Sequence, residues 1–145
     1  MNNTNHSKSI PQRARHHICR WCLLPLLLLL ARPAAVEAQF LYTTNNGTIT
    51  ITRYTGPGGA VTIPSTLNGL PVTSIGDSAF AGCSGLTSVT MGPSVTSIEF
   101  LAFQLCTSLT SITIGTSVTS IGQGAFSGCY LLSWIRVDTN NPAYS

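Results

Sequence analysis

Three isoleucines, Ile75, Ile98 and Ile121, stand 23 residues apart, and the same step recurs through the second half of the chain. Phe80, Phe103 and Phe126 keep it. So do Cys83, Cys106 and Cys129, then Leu86, Leu109 and Leu132, then Val89, Ile112 and Ile135, and finally Met91, Ile114 and Val137. A fixed period of this length means an array of like units, none of which can bury its own apolar face. Stacking buries it, with parallel strands and equivalent positions superposed into ladders, so the period predicts a solenoid. Within a unit the positions L-x-x-V/I-x-M/I/V end in alternation, which predicts a short strand with one face inward. Val95 to Ile98 adds a second short extended segment. The AF…C piece between them predicts a single helical or 3₁₀ turn, with Asp77 as N-cap of the first copy.

Ahead of the array, residues 40–54 alternate apolar and polar side chains around Asn46-Gly47. That dipeptide favours the positive φ values of a type I′ turn and predicts a β-hairpin covering the exposed end of the first unit. Asn46-Gly47-Thr48 also fits a glycosylation acceptor, but a tight turn explains it without any sugar. Residues 56–59 (GPGG) break the chain. Val61 to Ile63 reads as a degenerate strand of a first unit, and Leu67 to Pro71 as an insertion.

Charge is distributed unevenly. Lys8, Arg13, Arg15, Arg20 and Arg32, with all three histidines, precede residue 39, whereas beyond it Arg53 and Arg136 face Asp77, Glu99 and Asp138, a formal −1. Such a surface has no electrostatic footprint for nucleic acid. The front segment reads as a signal peptide over residues 1–38: a basic stretch, an apolar run from Trp21 to Ala31 too short to span a bilayer, and small residues at Val36 and Ala38 that place cleavage near Ala38/Gln39. An uncleaved membrane anchor is the alternative. Cys19 and Cys22 precede the apolar run, which argues against a lipoprotein, and their CxxC spacing carries no redox role in a removed segment.

The stretch IGDSAFAGCSGLTSVTMGPSVTSI (residues 75–98) closely resembles the BspA-like class of leucine-rich repeats of bacterial and some protist surface proteins. The resemblance covers about residues 60–145 and implies a leucine-rich-repeat solenoid, with the hairpin over residues 39–59 as its N-terminal cap. It also implies linkage to adhesion and protein binding, without any signature residue. Two departures stand out. Glu99 and Leu105 occupy columns held elsewhere by Gly76 and Gly122, and by Gly82 and Gly128. If Glu99 sits at positive φ it is strained, and the unit is expected to bulge and expose Phe100. The array also reads as about three and a half units, stopping at Asn140-Asn141-Pro142-Ala143-Tyr144-Ser145 and so truncated, with no closing cap in view.

Reactive groups are few. A serine nucleophile needs a base, and no histidine or lysine follows residue 38. Asp77, Glu99 and Asp138 fall in different columns, so no pair of carboxylates is set up for acid–base work. The three cysteines at 23-residue spacing do not suit zinc, which wants clustered ligands. One disulfide between adjacent rungs stays open, because stacked Cα atoms can approach the required range of about 7 Å or less. The simpler reading is a buried ladder of small apolar side chains. No cofactor and no metal are expected.

The predicted core ladder is therefore Ile75, Phe80, Cys83, Leu86, Val89, Ile98, Phe103, Cys106, Leu109, Ile112, Ile121, Phe126, Cys129, Leu132 and Ile135. The alternating outward positions, Thr62, Ser88, Thr90, Ser111, Thr113, Trp134 and Arg136, form the candidate partner-binding face. Exposed Trp and Arg are favoured at interaction hot spots, although Trp134 could instead cover a following repeat. The sequence thus reads as an exported, non-catalytic binding or adhesion module for a protein, or a glycan, with membrane contact only during export. The competing readings are a structural spacer or a fragment of a larger surface protein without its own partner. An enzyme of the cell envelope is a distant third.

Overall fold

The computed structural model describes residues 38–144; all but the last residue of the signal peptide predicted over residues 1–38 lies outside them. The described chain is built of strands and turns only. β1 (Phe40–Asn45) and β2 (Thr48–Tyr54) pair antiparallel around Asn46 and Gly47, at φ 49° and 77°. β3 (Gly59–Thr62), β4 (Thr66–Leu67) and β5 (Leu70–Ile75) follow, and then the repeats supply β6 (Leu86–Thr90), β7 (Ser97–Ile98), β8 (Ser111–Ile114), β9 (Ser120–Ile121) and β10 (Trp134–Val137). Two parallel ladders result. One runs β3-β6-β8-β10, and the other runs β2-β5-β7-β9 with β1 on its outer edge. The 23-residue step is the register itself: Ser88, Ser111 and Trp134 are partners, as are Ile75, Ile98 and Ile121.

The insertion at Leu67 to Pro71 is a second small hairpin. β4 pairs antiparallel with the start of β5 around Asn68-Gly69, at φ 47° and 76°. Another Asn-Gly dipeptide supplies its turn, as in the first hairpin.

The third side of each coil differs from the expectation of a helical turn. No helix forms there, and Asp77 is simply exposed in a turn. The reason lies in where the backbone donors go. The N–H groups of Ser78, Phe80 and Gly82 donate to Phe100 O, Ala102 O and Gln104 O of the next rung at 3.0, 2.7 and 2.8 Å. The intervening Ala79, Ala81 and Cys83 donate locally, three residues back. The second rung repeats this through Leu101, Phe103 and Leu105, which reach Gln123 O, Ala125 O and Ser127 O. A helix would turn every donor back on its own segment. Alternation instead needs left-handed residues, and they recur in two columns: Ser78, Leu101 and Gly124, and Gly82, Leu105 and Gly128.

Glu99 is therefore not the strained residue. Its φ is not positive, and its Oε1 accepts hydrogen bonds from Ser97 Oγ at 2.6 Å and Ser74 Oγ at 3.1 Å. The strand register passes through this unit without a bulge. Gly76 and Gly122 are needed for close approach: a Cβ on Gly122 would meet the Glu99 carbonyl carbon at 2.6 Å. The strain sits at Leu101 and Leu105, at about 1–2 kcal/mol for a left-handed residue. Both leucines lie over glycines of the next rung, Leu101 Cδ2 close to Gly124 and Leu105 Cδ2 close to Gly128. Half-burying a leucine, at about 1 kcal/mol, largely offsets that strain. Phe100 is half-exposed.

Inside the coil, Tyr54, Phe80, Phe103 and Phe126 stack in sequence at centroid separations of 5.0, 4.8 and 5.7 Å, and Phe40 tilts against Tyr54 at 5.6 Å. Ile75, Phe80, Leu86, Val89, Ile98, Phe103, Cys106, Leu109, Ile112 and Cys129 are buried. Cys83, Ile121, Phe126 and Leu132 are only partly buried, and Ile135 is 54% exposed, so the predicted ladder is incomplete at both ends. β10 has a strand partner on one side only among the described residues, which leaves Ile135 half-covered. The fourth rung also departs from the pattern: Asn141, not an apolar residue, continues the column of Val95 and Val118. It is fully buried and fully bonded. Its Nδ2 donates to Gly115 O and Val118 O at 2.8 and 2.9 Å, and its Oδ1 accepts from Ala143 N and Tyr144 N.

The cysteines are free thiols in the core. Cys106 Sγ donates to Phe80 O at 3.1 Å and Cys129 Sγ to Phe103 O at 3.0 Å, each reaching one rung back. Burial pushes all three thiols up, Cys106 to about 12.

Two measurements check this packing. Asn141→Ala leaves the Gly115 and Val118 carbonyls without their donors and is expected to cost about 2 kcal/mol in urea unfolding; an unchanged midpoint contradicts the assignment. With native protein at pH 8, an alkylating reagent should modify Cys83 first and Cys106 last. Because the unfolded thiols ionise near pH 9 and Cys106 only near 12, the unfolded state loses its protons first. Stability should therefore hold below pH 8 and fall as pH rises from about 9 towards 12. A Cys83, Cys106, Cys129→Ala variant should flatten that slope.

Candidate functional site

Alternation along β6, β8 and β10 sends one side chain of each pair into the coil and the other outward. Leu86, Val89 and Met91, with Leu109, Ile112 and Ile114, point in and are buried. The outward residues form two columns. Ala60, Ser88, Ser111 and Trp134 make one, and Thr62, Thr90, Thr113 and Arg136 make the other. All seven predicted face residues thus lie on one ladder, with Ala60 added by the β3 register. That addition was hidden in the sequence because the small hairpin breaks the 23-residue step ahead of β6.

Elsewhere on the coil, several hydroxyls hold rungs together. Thr96 Oγ1 donates to Thr73 O and Thr119 Oγ1 to Thr96 O, at 3.0 and 3.4 Å, and Thr110 Oγ1 reaches Thr87 O at 3.0 Å. Ser74 and Ser97 hold Glu99. By contrast, the side chains of Thr62, Ser88, Thr90, Ser111 and Thr113 have no hydrogen-bond partner among the described residues. Ser88, Ser111 and Thr113 are half-buried and Thr62 and Thr90 exposed. Trp134 is 75% exposed. Arg136 is exposed and has no ion pair among the described residues. An open, shallow cleft runs along the end of this face, lined by Ser111, Ile112, Thr113, Trp134, Ile135 and Arg136.

The carboxylates stand apart from this face. Asp77 lies in the turn, Glu99 is bound by serines on the other ladder, and Asp138 follows β10 and accepts from Asn140 N at 2.9 Å. Among the described residues, no group of three or more His, Cys, Asp or Glu side chains is placed to hold a metal ion.

No curated protein matches the chain. Among solved structures, a leucine rich cell surface protein from Faecalibacterium prausnitzii is similar, at 37% identity and a TM-score of 0.59, over 68% of this chain. This chain spans only 30% of that protein's length. A leucine-rich repeat protein from Bacteroides capillosus matches at 25% identity and a TM-score of 0.49, over 69% of this chain and 94% of its own. The T. pallidum leucine rich repeat protein matches at 27% identity and a TM-score of 0.45, over 68% of each chain. The family model described as "BspA type Leucine rich repeat region (6 copies)" covers residues 60–143, more than half of the sequence. The chain belongs to the BspA-type leucine-rich-repeat family.

Proposed function

We propose that this chain is an exported, non-catalytic module that binds a protein partner through the outward face of the β3-β6-β8-β10 ladder. The observation that carries this reading is the contrast in hydroxyl commitment. Off this face, Thr96, Thr110 and Thr119 bond to the preceding rung and Ser74 and Ser97 to Glu99, whereas all five hydroxyls of this face are bonded to nothing within the described chain. A flat array of free donors and acceptors ends at an exposed Trp and at an Arg with no ion pair among the described residues, both of them residue types enriched at binding hot spots. The sequence-predicted leader and the likeness to a cell surface protein support an extracellular position. The family and the dispersed carboxylates support a binding role rather than a catalytic one.

The full chain, applied to an array of immobilised cell-surface and matrix proteins, is expected to bind at least one of them. Replacing Trp134 and Arg136 together by Ala should weaken that binding tenfold or more, whereas Ser120→Ala on the opposite ladder should leave it unchanged. Equal binding by all three proteins would exclude this face.

A further inference from the structure

β10 and the turn leading to it differ from the equivalent segments of the two preceding rungs in their outward positions. In the turn leading to the strand, the first two rungs carry Ser84-Gly85 and Thr107-Ser108, whereas the third carries Tyr130-Leu131. On the strand they carry Ser88 and Thr90, then Ser111 and Thr113, and in the third Trp134 and Arg136. Four small or hydroxyl positions thus become Tyr, Leu, Trp and Arg. The inward positions do not change character: Cys129, Leu132, Ile135 and Val137 keep the apolar identity of their columns.

Exposure matches the switch. Tyr130 is 81% exposed, Leu131 56% and Trp134 75%. Leu131 is three residues from Trp134, so their Cα atoms lie within about 10 Å of each other. Ser133 Oγ holds the turn by donating to Leu131 O at 3.0 Å. Two exposed aromatics, a leucine and a guanidinium with no ion pair among the described residues thus lie within seven residues of chain, across the passage from turn to strand, and Trp134 and Arg136 line one open cleft. Their chemistry defines the complement. Arg136 offers paired N–H donors suited to a carboxylate, and the apolar trio removes most area from water under aliphatic or aromatic side chains. Leu131 has neither a hydrogen-bonding atom nor a ring face, which disfavours a saccharide there.

We infer that Tyr130, Leu131, Trp134 and Arg136 form a docking corner for a polypeptide segment that carries an Asp or Glu beside apolar side chains. This rests on the binding role proposed for the face and extends it round the corner to the turn. The corner orients a partner: the carboxylate seats on Arg136, and the adjacent apolar residue lies over Trp134 and Leu131.

The test uses a phage-displayed library of random 12-residue peptides panned on the full chain. Enriched peptides are expected to carry Asp or Glu within two or three residues of an aliphatic or aromatic residue. Substitutions can borrow the residues of the neighbouring rung, which that fold position already accepts: Tyr130→Thr with Leu131→Ser, and separately Arg136→Thr. Each should weaken the selected synthetic peptide tenfold or more without moving the thermal midpoint, and 0.5 M NaCl should weaken it further. Peptides without acidic residues, or affinities unmoved by Arg136→Thr, would overturn the carboxylate. Loss on Trp134→Ser but not on Tyr130→Thr/Leu131→Ser would overturn the corner while leaving the binding face intact. No enrichment at all, or self-association of the chain abolished by Tyr130→Thr/Leu131→Ser, would overturn the peptide assignment.

Discussion

The structure depends on one rung hydrogen-bonding to the next on all three sides of the coil. Two sides use parallel strands, and the third uses alternate turn residues whose N–H groups reach forward to the following rung. No rung has enough local contact to stand alone, since β7 and β9 are two residues long. The phenylalanine column fills the space this bonding encloses. Its centroid spacing of 4.8 to 5.7 Å is close to the separation of about 4.8 Å between paired strands. One geometric step therefore satisfies both the backbone and the aromatic stack. That shared spacing explains why a single repeat length is kept through the array.

Much of this was legible in the sequence because a period acts as a register. Matching Ser88 to Ser111 and Ile75 to Ile98 required only counting, and both pairs are strand partners. Family membership followed from the same columns. The turn conformation was harder to read. Glycine at Gly76 and Gly122 looked like a demand for positive φ, but those glycines answer to backbone contact with the preceding rung. The left-handed columns were masked because one of them reads Ser78, Leu101 and Gly124, and only the third residue advertises the conformation. Asn141 was also overlooked. A polar residue in an apolar column looks like the end of a pattern, whereas its side-chain amide meets four backbone partners and belongs to the core.

For the candidate face, sequence alternation supplied the residues but not their state. Whether a threonine hydroxyl is spent on a neighbouring rung or left free depends on side-chain geometry. Thr96 and Thr119 bond backward, whereas Thr90 and Thr113 do not. Chemically similar columns therefore differ: one set laces the coil together, and the other leaves its hydroxyls without a partner among the described residues. The change from Ser and Thr to Tyr, Leu, Trp and Arg on the third rung gives that free surface a direction, with its apolar and cationic groups at one corner.

Amide hydrogen exchange in the native protein tests the central claim most directly, because it reads the inter-rung bonds of the turn side one by one. If the stack holds the fold, the amides of Phe80, Gly82, Phe103 and Leu105 should be protected to the same degree as those of the buried strands, close to the free energy of global unfolding. Exchange of these four amides at the rate of an open surface loop, with the strands still protected, would contradict the account: the turns would then be mere connections, and two ladders rather than three would carry the structure.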